Sequence, residues 1–200
     1  MEVALHQTYH YLVEKDERPD FKLVHEYPLG GKPPMMTHIF EDNTGTRIIA
    51  AKGAPEALIK VSNLGGNEKK QVNEAVETLA NGGYRVLGVG VSNFTGNNFP
   101  AHQQEFPFTF KGIVAFYDPP KKNIRQVFKN FYTAGIVVKI ITGDNTETTT
   151  AIAKQIGCIG YEKSISGDEL TKLPDAALQN CVMKTNVFTR MFPEAKRKII

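Results

Sequence analysis

Ile136-Val137-Val138-Lys139-Ile140-Ile141-Thr142-Gly143-Asp144-Asn145 is the stretch on which the fold of this chain turns. The first six residues are apolar except for Lys139. A run that short and that continuously apolar suits a strand covered on both faces, as the central strands of parallel sheets are. The polar tetrad follows at its carboxyl end, and the residues to Ile156 then read as a helix with Gly157 behind it. Open α/β sheets bind ligands outside the carboxyl end of a strand. A hydroxyl and backbone amides at the amino end of a helix suit a phosphate there. A plain strand-to-helix turn with Asp144 as cap is the other reading.

The same rhythm extends on either side. Upstream, Gly112–Tyr117 reads as a strand and Asp118-Pro119-Pro120 as the cap and start of a helix. Ile124, Val127, Phe128 and Phe131 fall on one face of that helix, and Gly135 ends it. Downstream, Asn186–Arg190 reads as a strand and Pro193–Ile200 as the start of a helix carrying Lys196. Residues 111–200 are therefore expected to form an incomplete α/β, Rossmann-like segment.

Residues 1–110 read differently, as an α+β domain with an antiparallel sheet and flanking helices. Ala4, Leu5, Tyr9 and Leu12 space as an amphipathic helix. Strands are expected at 21–27, 36–40, 46–52 and 84–92. Asp42-Asn43-Thr44-Gly45 supplies hairpin chemistry between the second and third. Gly53-Ala54-Pro55-Glu56 opens a helix, and a polar helix from about Glu68 to Asn81 is closed by Gly82-Gly83. Asn93–Pro107, rich in Asn, Gly, Pro and Gln, is either a long loop or a passage between domains.

Composition narrows the function classes. The chain has 200 residues, 41% of them hydrophobic, which is enough to bury a core and excludes a disordered or collagen-like chain. A net charge of +3 from 24 basic and 21 acidic residues is too small and too mixed for a nucleic-acid surface. Two cysteines, Cys158 and Cys181, fit neither a disulfide framework nor a metal motif and suggest a reducing compartment. His6 and His10 lie one helical turn apart without a third ligand nearby, so no metal site is expected. No apolar run reaches the length of a membrane span and no signal peptide is legible, so a soluble chain is expected. Gly30-Gly31-Lys32-Pro33 lacks the spacing of a phosphate loop. Gly88-Val89-Gly90 lies inside a strand and lacks the last glycine of a dinucleotide fingerprint.

Thr142-Gly143-Asp144 on one strand and Lys196 beyond a later one together match the second and third phosphate-handling motifs of haloacid-dehalogenase-type phosphotransfer sites. Lys52-Gly53 offers a cation and a bare backbone, and Tyr27 a ring, which singly is more often a core aromatic. Taken in order, these segments resemble the large cytoplasmic loop of P-type cation-transporting ATPases, calcium-pump-like in character. The resemblance runs from Glu2 to Ile200, and Lys52-Gly53-Ala54-Pro55-Glu56 is its most recognisable part. It implies a nucleotide-binding domain over 1–110 and part of a phosphorylation domain over 111–200. It also implies that Tyr27 stacks on adenine, that Glu2, Lys32, Lys52 and Gly53 shape the pocket, and that Arg85 reaches the phosphates. Asp118, of the hinge segment, and Arg190 join the nucleotide-binding set. Thr142, Gly143, Asp144 and Lys196 belong to the phosphoryl-transfer site.

Tyr27 stands where phenylalanine is usual, Gly31 replaces a basic residue, and Pro33-Pro34-Met35-Met36 carries a small insertion. Two segments of the family are missing: the Asp-Lys-Thr-Gly-Thr stretch with the phosphorylated aspartate, and the Gly-Asp-Gly-x-Asn-Asp stretch that holds magnesium. The resemblance thus implies an internal piece on the cytoplasmic face of an integral membrane pump. The piece would bind ATP without turning it over; Mg2+, the transported cation and the remaining domains would belong to the whole protein. A freestanding nucleotide-binding or regulatory module is the alternative. A soluble phosphatase of the haloacid-dehalogenase type would lack its nucleophile and leave the first hundred residues unexplained.

Overall fold

The Asp42–Gly45 turn closes a hairpin between β2 (Met35–Asp42) and β3 (Arg47–Gly53), as the sequence predicts. The Asp42 carboxylate accepts the amides of Thr44 and Thr46 at 2.8 Å each, and Gly45 takes a φ of +85°. The computed structural model describes residues 2–96 and 98–200, the side chain of Glu2 excepted. Cα packing divides the chain into two units, 1–76 with 86–116, and 77–85 with 117–200.

The first unit is built on a five-stranded sheet in the order β1-β2-β3-β4-β5, with β1 at Phe21–Gly30, β4 at Arg85–Ser92 and β5 at Phe108–Phe116. β1 to β4 pair antiparallel. Inward-facing Met35, Ile39, Ile49 and Ala51 are buried against Leu58 of α2 (Pro55–Val61) and against Phe106 and Phe108. Gly88 and Gly90 let α2 rest directly on β4: a Cβ at either would sit 3.2 Å from a Leu58 side-chain atom. That role in packing accounts for glycines that only superficially resemble a nucleotide motif. α1 (Glu2–Leu12) and the polar α3 (Gly66–Asn81) complete the helices, and α3 ends with Gly83 at φ +82°.

Residues 93–107 fold back as a loop of this unit rather than a passage out of it. Gln103, 6% exposed, anchors the loop. Its amide donates to Met35 O at 2.9 Å and Pro28 O at 3.3 Å, and its Oε1 accepts from the fully buried Thr37 hydroxyl at 2.9 Å. The strand expected at 112–117 to open the second half is consequently the end of β5, a member of the first sheet. Its apolar pattern begins at the buried Phe108, and no helix intervenes to carry it to another sheet.

The second unit carries a parallel three-stranded sheet in the order β6-β8-β7: β6 (Ile140–Ile141), β7 (Ser164–Ser166) and β8 (Val187–Thr189). Only two residues of the Ile136–Ile141 run pair as a strand. β8 begins at Val187, directly after α7 (Asp175–Lys184), and offers no partner before Ile140. Lys139 explains its place in an apolar run: its ammonium donates to Val182 O and Thr185 O at 2.7 Å, binding the last carbonyls of α7.

α4 (Ile124–Thr133) starts later than the Asp118-Pro119-Pro120 segment predicts. Each proline disfavours helical geometry in the residue before it, so 118 and 119 stay outside the helix, which waits for Asn123. Its buried face runs through Ile124, Phe128 and Tyr132, while Phe131 is 41% exposed. α5 (Thr146–Ile156) ends on Gly157 at φ +77°, as expected. α6 (Gly167–Thr171), introduced by a Ser166/Glu169 capping box, and α8 (Pro193–Arg197) follow. Among the described residues no helix is long and apolar enough to cross a membrane.

Candidate functional site

In the first unit, register decides which of the candidate residues can act together. Tyr27 pairs with Thr37, and Thr37 with Ala51; Lys52 lies one row away, opposite Met36 and Val89. Adjacent rows of an antiparallel sheet present opposite faces. Tyr27 therefore shares the buried face with Thr37 and Ala51, while Lys52 stands on the other, half-exposed face. The Tyr27 ring is 9% exposed, meets Phe106 and His25 edge-on, and donates its hydroxyl to Pro100 O at 2.6 Å. Burial pushes its hydroxyl above the usual tyrosine range. The residue is a core aromatic, and its ring offers no free face to a base.

Gly53 has a similar local explanation. A Cβ there would lie 2.6 Å from Met35 Cα and Pro34 O, and Ala54 N donates to Pro34 O at 2.9 Å. What approaches the bare backbone is the start of β2. Lys32 lines a cavity of about 240 Å³ with Pro33, Met35, Ala57, Lys60, Val61 and Gln104. Lys60 and Gln104 were not singled out by the sequence; one is the polar tail of a short helix and the other a loop amide, and neither sits in a motif. Glu2 opens α1, but its side chain lies outside the described residues.

In the second unit the loop of Thr142 and Asp144 meets the main chain at Arg190 and Met191, in the segment that leads to Lys196. Thr142 N donates to Phe188 O at 3.0 Å, Arg190 N to Asp144 O at 2.8 Å, and Met191 N to Thr142 O at 2.9 Å. The loop after β6 and the loop after β8 are thus joined main chain to main chain. Within the first, Asp144 N donates to the Thr142 hydroxyl at 3.1 Å, and that hydroxyl donates to the Asp144 carboxylate at 3.2 Å. Asn145, not Asp144, caps α5: its side chain accepts Thr148 N at 2.8 Å. Gly143 sits open, its nearest neighbour 3.8 Å from where a Cβ would be.

Arg85 also reaches this loop, its Nε lying 3.5 Å from the Asp144 carboxylate. With side chains 55% and 35% exposed, the pair contributes at most a few tenths of a kcal/mol to stability, but it brings a guanidinium to Asp144. Arg190 takes φ +48°, in the left-handed region that few side chains adopt; among the described residues no other non-glycine does so. Strain of this kind gathers at functional sites. Lys196 lies on α8 with its side chain exposed, and Asp118 is exposed in the segment before α4. Among the described residues no group of three or more His, Cys, Asp or Glu is placed to hold a metal ion. The arrangement offers a hydroxyl, a carboxylate, an open glycine amide and a guanidinium at one helix amino end, which suits an anion more than a cation.

The family model described as "P-type ATPase, cytoplasmic domain N" matches residues 1–123. A calcium-transporting ATPase of Bacillus subtilis (strain 168) is 33% identical over 193 residues, covering 90% of this chain and 22% of the relative. Calcium-transporting ATPase 1 of Yarrowia lipolytica is 26% identical over 216 residues, covering all of this chain and 23% of that protein. A sodium/potassium exporting P-type ATPase of Schizosaccharomyces pombe is 28% identical over 222 residues, covering all of this chain and 21% of its own length. The chain spans between a fifth and a quarter of the length of these relatives. The sheet of the first unit, the Lys52–Glu56 junction and the family match over 1–123 agree, and the chain belongs to the P-type cation-transporting ATPases as a cytoplasmic segment that includes their domain N.

Proposed function

We propose that this chain is the ATP-binding cytoplasmic portion of an ATP-driven cation pump that works through an aspartyl-phosphate. The observation that carries the reading is the family match across the whole first unit, with Lys52 on the half-exposed face of its sheet. On that face Met36 and Val89 flank Lys52, giving a base an apolar floor and a cation beside it. Lys32, Lys52 and Gly53 then shape the pocket, with Gly53 acting through the close packing of β2. Tyr27 supports the sheet from beneath.

The nucleotide-binding domain expected over 1–110 runs on to the end of β5 at Phe116, and the residues after it act as part of a Rossmann-like, haloacid-dehalogenase-type phosphorylation domain. Arg85 and Arg190 serve the phosphates, and Asp118 the hinge beside them. Thr142, Gly143, Asp144 and Lys196 serve the transferred phosphoryl group. The nucleophilic aspartate of the family and its magnesium segment are not among these residues, and Asp144 alone, beside Arg85, does not make a magnesium site. The chain by itself therefore binds ATP and does not hydrolyse it, because phosphoryl transfer needs nucleophile and metal together. The membrane location, the Mg2+ and the transported cation belong to the whole protein in this reading.

The test is an amide-detected NMR titration of the chain with an ATP analogue. Binding in the high-micromolar to millimolar range is expected, with the largest shifts on β2, β3 and β4 around Met36, Lys52 and Val89. Lys52→Ala weakens it by about tenfold, some 1.4 kcal/mol, and Tyr27→Phe leaves it within about twofold, since only a hydroxyl bonded to Pro100 is lost. Absence of binding at millimolar nucleotide, or steady hydrolysis, overturns the proposal.

A further inference from the structure

Away from the phosphate-type loops, the second unit has a shallow, open hollow of about 750 Å³ along α4 and at the end of α5, lined by Arg125, Lys129, Tyr132, Thr133, Lys154, Ile156, Gly157 and Ile159. Arg125 and Lys129 are four residues apart on α4, a like-charge spacing that costs a helix a few tenths of a kcal/mol. No carboxylate lines the hollow, and none among the described residues pairs with Arg125, Lys129 or Lys154. Three basic groups are thus gathered around a floor of Tyr132, Ile156 and Ile159, the last 59% exposed. The end of α5 accounts for Lys154, since cations favour helix C-termini, whereas Arg125 lies at the amino end of α4 and Lys129 in its middle.

The other polar groups of the hollow are already engaged. The Thr133 hydroxyl donates to Lys129 O, Gly157 N to Lys154 O, and Arg125 Nε to Gln155 O. A free phosphate would find cationic head groups but no converging main-chain or hydroxyl donors. Several carboxylates spread around one apolar side chain would match the charge of the rim and the chemistry of the floor together.

We propose that this hollow is a docking site for an acidic peptide segment that places an aliphatic or aromatic side chain between Arg125, Lys129 and Lys154. The experiment titrates the isotope-labelled 200-residue chain with the peptide Ac-Glu-Asp-Leu-Glu-Phe-Glu-NH2 and follows amide shifts. Saturable shifts confined to 125–133 and 154–159 are expected. Affinity should fall several-fold between about 50 and about 300 mM salt, as screening shortens the reach of the charges. Lys154→Gln should weaken binding about threefold, and the combined R125E/K129E/K154E change at least about tenfold, some 1.4 kcal/mol. Circular dichroism melts identify a variant that has lost its fold, in which case Lys154→Gln, a surface change, carries the comparison. The proposal is overturned if the shifts are absent at millimolar peptide, if a peptide with lysine at every acidic position binds equally, or if inorganic phosphate or phosphatidylserine vesicles move the same amides more strongly.

Discussion

Replacing Gly53 by alanine separates two explanations for a glycine in the most recognisable motif of the chain. If the bare backbone exists to admit a ligand, Gly53→Ala leaves the ligand-free protein intact and weakens binding. The structure requires the opposite order of effects. The added methyl would stand 2.6 Å from both Met35 Cα and Pro34 O and 2.7 Å from Met35 Cβ, about an ångström inside ordinary contact. Two of these three neighbours are main-chain atoms and cannot swing aside, so the first residues of β2 must move, and with them the Ala54 N to Pro34 O bond. Overpacking of this kind costs about 1–3 kcal/mol. The stiffer unfolded chain returns about 0.4–1 kcal/mol, leaving a net loss of roughly 1–2 kcal/mol. In a unit of this size that lowers Tm by roughly 5–15 °C. Urea unfolding of the nucleotide-free chain, followed by tyrosine fluorescence and circular dichroism, measures it. A ligand-free stability within about 0.5 kcal/mol of the parent, with nucleotide binding lost, would refute the reasoning, since ordinary surface changes fall inside that range.

Three further outcomes are expected. Asn145→Ala removes the cap that receives Thr148 N and should cost about 1 kcal/mol in urea unfolding, whereas Asp144→Ala should cost less, because Asp144 does not cap α5. Hydrogen exchange should be slower on β2, β3 and β4 than on β6, β7 and β8, whose ladders are two or three residues long; equal protection of the two sheets would contradict this. Burial holds the Cys158 thiol above its usual range, so the folded state keeps the proton longer than the unfolded chain. That contribution is whole below the ordinary thiol range and is lost as pH rises through the raised value. Unfolding midpoints should therefore fall at alkaline pH, less so in Cys158→Ala, and a thiol reagent should modify Cys181 before Cys158 in the native chain.

The antiparallel half was largely legible because its signals are local. The Asp42–Gly45 turn fixes the β2–β3 register, and alternation along 35–53 fixes which face is buried. The second half was harder to read. Its strands are two or three residues long, so the apolar run at 136–141 says "buried" without saying how much of it finds a ladder partner. The stretch from Cys158 to Lys184 yielded no elements, although Ser166 and Glu169 form a capping box that marks the start of α6.

The site residues divide along the same line. Thr142, Asp144 and Arg190 sit in short motifs at strand ends, and the parallel sheet brings those ends together. Tyr27 and Lys52 lie on long strands where a shift of one row reverses the face. β1 departs from simple register twice, between Leu23 and His25 and between Tyr27 and Gly30, and a resemblance in sequence order does not reveal that.

The joining of the β6 and β8 loops has a consequence for how this region can vary. Its two cross-loop bonds, Arg190 N to Asp144 O and Met191 N to Thr142 O, use no side chain. The lock is therefore indifferent to the side chain at 190, whereas Met191, 3% exposed among Leu170, Phe188 and Ala195, is fixed by its packing. Proline at either position deletes a donor, and a β-branched residue at 190 resists the φ of +48°. Position 190 adjoins the loop of Thr142 and Asp144, so a change of side chain there alters what faces an anion without breaking the main-chain bonds that join the two loops.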